Sequence, residues 1–517
     1  MKIKSVIIVG GGSSGWMTAA AINYLIPEIK LTLIESDKIT PIGVGESTLG
    51  HINRYFSFLN LKDDDWMKHC DATFKNSIQF TNFHKLNGRY QYPFGFLNSP
   101  NNKITHNKFE PRNYTEFLLI QKMYPKEIEL EDFIRYYNFT TILAEKNKQT
   151  DMIFDTFNPD YHTAYHMNAD KFGLRLKELY CEKIEHVMGT VDEVLINEKG
   201  VESLRVNDKF FNADLYIDCT GFKSLLLEQS LNEKFIRFKN LPNDSAIVGR
   251  REYVDENDKK ISTVNVTDCK GLSSGWLFNI PLWNRAGCGY VYSSSFIDDS
   301  DAEEEFLKET KCDNFRIIKM KHGYHYKSWV KNVVSIGLSW GFIEPLEATG
   351  LFTTHENIIS FVEILMSREC HVNSIDREMF NHSVRSNTLD MADFVALHYG
   401  ASRRDDTEYW NHVTQKNNYH NYDDGVFHRH SLSEEMFSML NDLDFNYNWG
   451  GFLYVLLGSE YNPVSIKQAK YDGHDFSDFE QKKDYIIKKL KEKYEIASTL
   501  DNNYEFLKKT IYRGKND

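Results

Sequence analysis

Apolar and polar positions change their period several times along this chain. Ser5 to Val9 is a short apolar run, as a parallel strand covered on both faces should be. Gly10-Gly11-Gly12-Ser13-Ser14-Gly15 follows at once, and Trp16 to Ile22 then predicts a helix. Leu31 to Glu35 predicts a second strand that ends in an acid. Residues 51–85 read as mostly helical, the Asn- and Pro-rich stretch 96–112 as a loop, and 113–150 as helical again. Between 183 and 221 short apolar runs alternate with turns, as in a small sheet, ending on Leu215-Tyr216-Ile217-Asp218-Cys219-Thr220-Gly221. Several strand-like runs occupy 245–295, and helical patterns dominate from about 350. Residues 477–511 predict one Lys-rich amphipathic helix, its charge run a solvated face. No internal repeat, low-complexity tract or clean linker interrupts the pattern. One intertwined α/β fold with α+β insertions is expected.

Composition narrows the class. At roughly 150 residues per domain, 517 residues make two to four domains or one large elaborated fold. With 41% hydrophobic and 26% charged residues the chain can bury a large core and is not a disordered one. Aromatics reach 14%, enough to hold a flat ligand, although most such rings serve as ordinary core. The balance of 61 Lys and Arg against 74 Asp and Glu, net −13, argues against a nucleic-acid partner. No apolar run approaches the ~20 residues of a spanning helix, so no membrane partner is expected. The chain enters a strand at once, which leaves no room for a signal peptide. Seven scattered cysteines without a CxxC suggest neither a disulfide framework nor a metal site, and a cytoplasmic setting is expected.

The first chemistry sits in the glycine turn. Gly10, Gly12 and Gly15 match GxGxxG, with a strand before, a helix after, and Glu35 placed 20 residues past Gly15. Glycines let the backbone approach a pyrophosphate, the helix start offers N–H donors, and the acid accepts from a ribose hydroxyl. Ser13 and Ser14 fill the same turn. The strand ending at Asp218 resembles the late strand that closes the nucleotide domain in FAD enzymes of the glutathione-reductase type. No second GxGxxG is present, so no NAD(P)H domain is visible. That combination favours FAD reduced elsewhere.

Further motifs follow in order. They are Gly15-Trp16-Met17, Gly43-Val44-Gly45-Glu46-Ser47-Thr48, Asp71-Ala72-Thr73-Phe74-Lys75, Tyr92-Pro93-Phe94-Gly95, Trp276-Leu277-Phe278-Asn279-Ile280-Pro281, Gly289 to Ser294, and Phe342 to Gly350. A late block runs Phe394 to Tyr399, Arg404 to Thr407 and Tyr409-Trp410. Together they resemble the flavin-dependent tryptophan halogenase family over nearly the whole chain. Two positions depart from the family pattern: Phe278 stands for its second Trp, and Tyr92 for its His.

The resemblance implies a glutathione-reductase-type FAD-binding fold. It would comprise 1–95 plus about 160–350 with an inserted sheet, and a mainly helical substrate-binding region at about 96–160 and 351–517. It also implies a two-component reaction: a separate flavin reductase supplies FADH2, and oxygen and halide (chloride, bromide or iodide) yield hypohalous acid. That acid passes to Lys75, which guides it to an electron-rich aromatic substrate of indole or phenol type. A positioned N–H gives an otherwise indiscriminate oxidant orientation and electrophilicity. The apolar flanks of Lys75 would lower its pKa. Glu347 corresponds to the catalytic glutamate, which orients the halogen or takes the ring proton; an N-cap carboxylate is the plainer reading. Thr349 and Gly350 correspond to the turn whose amides receive the halide. Gly10, Gly12, Ser13, Ser14, Gly15, Glu35, Gly45, Glu46, Asp218 and Gly337 are the cofactor-binding candidates. Tyr92, Phe94, Trp449 and Phe452 are those for the substrate, and Trp276 and Phe278 would keep it away from the flavin. A homo-oligomer is left open. Two other functions stay open on sequence: an FAD-dependent aromatic monooxygenase, which would not use Lys75, and a non-catalytic FAD-binding protein.

Overall fold

The computed structural model describes residues 2–37, 45–95, 107–154, 157–312, 314–414, 450–462 and 464–513. The chain forms two compact units, each assembled from separate stretches. The first comprises Met1–Thr73, Tyr165–Lys259 and Ile280–Val395, the second Phe74–Ala164, Lys260–Asn279 and Ala396–Asp517.

A six-stranded sheet organises the first unit. Its order is Trp329–Val330, Val333–Ser335, Leu215–Asp218, Ser5–Val9, Lys30–Glu35 and Glu185–Met188, parallel except for the hairpin at the Trp329 edge. Its central strands are mostly apolar and almost wholly buried because both faces are covered. On one side lies the helix Ser13–Leu25, packed against Ala169–Tyr180 and Thr349–Ser367. Its residues Gly15 to Ile22 are all buried, so no polar stripe marks it. Against the other face, Val201, Leu204 and Val206 of the antiparallel strand Gly200–Val206 pack on Ile7, Val9, Ile34 and Tyr216. A separate antiparallel group joins Asn314–Lys319, Ser245–Glu252 and Arg285–Tyr292.

In the second unit Ser77–Thr81 pairs antiparallel with Arg89–Pro93 and parallel with Val266–Gly271. Here the helical reading of 51–85 is corrected. Helical turns stop at Cys70, and strands Thr73–Lys75 and Ser77–Thr81 follow. Ile78 and Phe80 are buried while Gln79 and Thr81 are half-buried, a period of two. The partner strand Val266–Gly271 comes from far along the chain, and no local window contains it. Helices Tyr114–Met123, Asp132–Tyr137, Gly450–Gly458 and Phe479–Thr499 enclose a core that includes Phe117, Ile134, Leu453, Tyr454 and Ile486.

The Lys-rich tail is two helices, not one. Phe479–Thr499 ends at extended Leu500, and Asn502 caps Asn503–Thr510 by accepting from the Glu505 N–H. Nor is its basic face wholly solvated. Lys482 is buried with Nζ 2.8 Å from Glu116 and 2.9 Å from Asp478, and Lys493 donates to the Tyr136 carbonyl. A buried ammonium persists only when paired in this way.

Candidate active site

The glycine turn of the first unit begins where Val9 ends its strand. Gly10 has φ +116°, and a Cβ there would lie 2.2 Å from the Cys219 carbonyl oxygen. A Cβ on Gly15 would lie 1.8 Å from the Gly10 carbonyl oxygen, so this glycine lets the helix close onto the strand. Gly12 differs: a Cβ there meets nothing within 4 Å. The fold itself does not require that glycine; open space lies over it. Ser13 Oγ donates to the Ala169 carbonyl, 3.2 Å. Ser14 lies beside Gly337, where φ is +75° and a Cβ would come within 2.3 Å of Ser14 Oγ. Two candidates more than three hundred residues apart are thus brought together.

Glu35 ends its strand against the same turn. A Cβ on Gly11 would fall 1.5 Å from Glu35 Oε2, while Oε1 lies 2.7 Å from His186 Nε2. A glycine turn, a helix start and this carboxylate fit the adenosine diphosphate half of a dinucleotide such as FAD.

Asp218 is held differently. Its Oδ1 accepts from Thr220 N (3.0 Å) and Oγ1 (2.6 Å), and its Oδ2 from Leu226 N (2.7 Å) and Leu227 N (3.0 Å). Burial pushes its pKa up, and these four donors oppose the shift. The carboxylate ties down the turn after its own strand. Gly45 has φ +110°, and a Cβ there would touch Leu282 and Ile280. Glu46 pairs with Met167 across a short bridge, and burial, then Asp170, pushes its pKa up to about 7. Gly43 and Val44 lie outside the described residues, as do 96–106 of the Asn-rich loop.

The segment 341–350 carries the acidic motif. Glu344 Oε1 accepts from Asn243 Nδ2 at 2.8 Å. Glu347 is fully buried and closes the turn Pro345–Glu347. The N-cap reading of Glu347 is wrong: Ala348, in the left-handed region at φ 52°, precedes the helix Thr349–Ser367. Thr349 Oγ1 donates to the carbonyls of Ile343 and Glu344, both 3.1 Å, which fixes the helix start. A Cβ on Gly350 would meet nothing within 4 Å, so open space lies beside this residue in the first turn of the helix.

The second unit holds a cluster of aromatic side chains around Lys75. Lys75 is fully buried, with Nζ 4.8 Å from the centroid of the Phe94 ring. Phe94 donates its N–H to the Asn76 carbonyl, 2.9 Å, and its own carbonyl accepts from Asn138 Nδ2, 3.1 Å. Asn138 Nδ2 also lies 3.0 Å from Tyr454 Oη. Tyr92 stands edge-on to both Phe94 (6.3 Å between centroids) and Tyr454 (5.7 Å). Phe452 lies half-buried on the helix Gly450–Gly458; Trp449 is outside the described residues. Trp276 and Phe278 are buried on one face of their strand, 6.0 Å apart. Asn138 and Tyr454 escaped the sequence reading. Asn138 reads only as a helix cap, which it also is, accepting from Thr140 N. Tyr454 sits in an apolar run with nothing to single it out.

A family model for tryptophan halogenase matches residues 5–471. The chain belongs to the tryptophan halogenase family. It is similar to the 7-chloro-L-tryptophan 6-halogenase KtzR of Kutzneria sp. (strain 744), 31% identical, with 78% of this chain and 81% of KtzR covered. Among solved structures it resembles the VirX1 apo structure, with TM-score 0.89, 39% identity and 99% of both chains covered. It also resembles Tar14, a tryptophan C-6 flavin-dependent halogenase from taromycin biosynthesis, with TM-score 0.80, 27% identity and 98% and 99% covered. The chain is therefore an enzyme of the flavin-dependent halogenase type, and the halogenase reading prevails over the monooxygenase and non-catalytic ones. Among the described residues no helix is long and apolar enough to cross a membrane.

Proposed function

We propose that this halogenase uses FADH2 from a separate cytoplasmic reductase to halogenate an electron-rich aromatic ring of indole or phenol type. The observation that carries the proposal is Lys75, fully buried with its ammonium over the Phe94 ring. A buried N–H donor held beside aromatic rings suits delivery of hypohalous acid to a neighbouring ring. When bound, the reduced flavin with oxygen supplies the oxidising equivalent that turns halide into hypohalous acid. Gly10, Gly12, Ser13, Ser14, Gly15, Glu35 and Gly337 cradle that cofactor, with Gly45 and Glu46 beside it. The amides of Thr349 and Gly350 receive the halide, since amide donors hold an anion without trapping it as a cation would.

Lys75 would hold hypohalous acid and give a proton to the departing hydroxide, which leaves as water as the substrate carbon takes the halogen; Glu347 would accept the ring proton, which restores the balance once it is returned to Lys75 through solvent. Phe94, Tyr92, Phe452 and Trp449 hold the flat substrate. Trp276 and Phe278 contribute bulk that keeps it from the flavin. Tyr92 in place of the family's His points to aromatic substrates other than free tryptophan. The test is mass spectrometry after incubation with FADH2, oxygen, bromide and a panel of indoles and phenols. A mono-brominated product is expected. An oxygen adduct, or no product from any member, would overturn the proposal.

A further inference from the structure

The glycine turn has a support that the family motif does not explain. Glu35 and His186 lie on adjacent parallel strands, where Leu33 faces His186 and Glu35 faces Met188. His186 Nε2 is 2.7 Å from Glu35 Oε1, and its Nδ1 is 3.3 Å from Lys177 Nζ. An ammonium has only donors. Nδ1 must therefore accept from Lys177, which places the ring proton on Nε2 and makes it the donor to Glu35. Lys177 belongs to the last turn of the helix Ala169–Tyr180, and its Nζ also stands 4.9 Å over the Trp16 ring. Trp16 in turn meets the His186 ring edge-on at 5.3 Å between centroids. One ring nitrogen, one ammonium and one indole thus fix both the tautomer and the orientation of His186. Glu35 Oε2 is left against Gly11 of the glycine turn.

We infer that His186, locked by Lys177 and Trp16, is a positioning residue that aims the Glu35 carboxylate at the adenosine ribose of the flavin. This rests on the reading that FAD occupies the glycine turn. A carboxylate at a strand end has freedom about its side-chain torsions, and binding must remove it. A fixed donor on Oε1 removes it beforehand, so less of the ribose hydrogen bond is lost to ordering. The arrangement also explains why a Trp follows Gly15. Its ring is the wall against which histidine and lysine are both held, and a smaller residue would leave both loose.

The test is FAD affinity, followed by quenching of flavin fluorescence in the full-length protein, with thermal unfolding of each flavin-free variant as a control. His186→Phe keeps a ring against Trp16 but removes the donor; FAD affinity should fall about tenfold, as for loss of one hydrogen bond to a charged group. His186→Gln restores an N–H and should recover most of that loss. Lys177→Met frees the tautomer and should cost about threefold. Glu35→Gln combined with His186→Phe should bind FAD no more weakly than Glu35→Gln alone, because His186 acts through Glu35. Full additivity in that cycle, or wild-type affinity in His186→Phe, would overturn the inference. Should His186→Phe melt far below wild type, the Gln rescue and the Lys177→Met shift decide instead. Failure of the wild-type chain to bind FAD at all would overturn the cofactor reading itself.

Discussion

The glycine turn and the Lys75 cluster are built in opposite ways. The turn is mostly backbone, its glycines all within residues 10–15, and its tolerance is set by what a single Cβ would strike. The cluster is mostly side chain. It draws Lys75, Tyr92, Phe94, Asn138 and Tyr454 from four stretches of the second unit, with Phe94 and Tyr454 tied by two hydrogen bonds from the Asn138 amide. A backbone cradle can be lost in one substitution but barely retuned. A side-chain cluster can be retuned through one ring, and position 92, Tyr where the family pattern has His, is such a place.

The sharpest way to break that contrast is at the turn. Gly12→Val should fold, because the structure leaves space over that Cα, yet lower FAD affinity by at least ~100-fold by filling the pyrophosphate path. Equilibrium dialysis against FAD, with circular dichroism as a folding check, measures it. Glu347→Gln keeps size and loses charge, so its product rate should fall by ~10²-fold while FAD affinity stays unchanged. Steady-state halogenation beside the same dialysis separates the two effects.

Asn138→Ala releases both the Phe94 carbonyl and Tyr454 Oη. KM for the aromatic substrate should rise about tenfold, with FAD affinity untouched, as the two rings lose the hydrogen bonds that position them. The smallest effect concerns Glu46. Its folded-state pKa of about 7 lies above the ordinary 4.5. Across that window the unfolded chain has already released a proton that the folded chain retains, so stability falls as pH rises. Glu46→Gln should flatten this slope. The variant should melt close to wild type near pH 4.5 and a few degrees higher above pH 7, as differential scanning fluorimetry of flavin-free protein would record.

Much of the first unit was legible because its signals are local. Ser5–Val9, the helix from Ser13 and the strand ending at Glu35 each lie inside one short window, and Leu215–Asp218 was readable as a covered strand. The cluster was legible only in part. Lys75 and Phe94 stood out through motif order, whereas Asn138 and Tyr454 gain their roles from partners far off in sequence. The strands from Thr73 to Thr81 were misread for the same reason, since Val266–Gly271 supplies the pairing. His186 carries no signal at all until a parallel neighbour places it beside Glu35. The buried Lys482 shows the converse: composition suggested a solvated face, and Glu116 made burial affordable.

The account's central claim is that making the oxidant and delivering it are separable. Lys75→Ala tests this most directly, assayed in parallel for bound FAD, for hypohalous acid by a trapping dye, and for halogenated product by mass spectrometry. Bound FAD and trapped oxidant should stay at wild-type levels while halogenated product disappears. Product formed by Lys75→Ala at the wild-type rate and with wild-type regioselectivity would contradict the account.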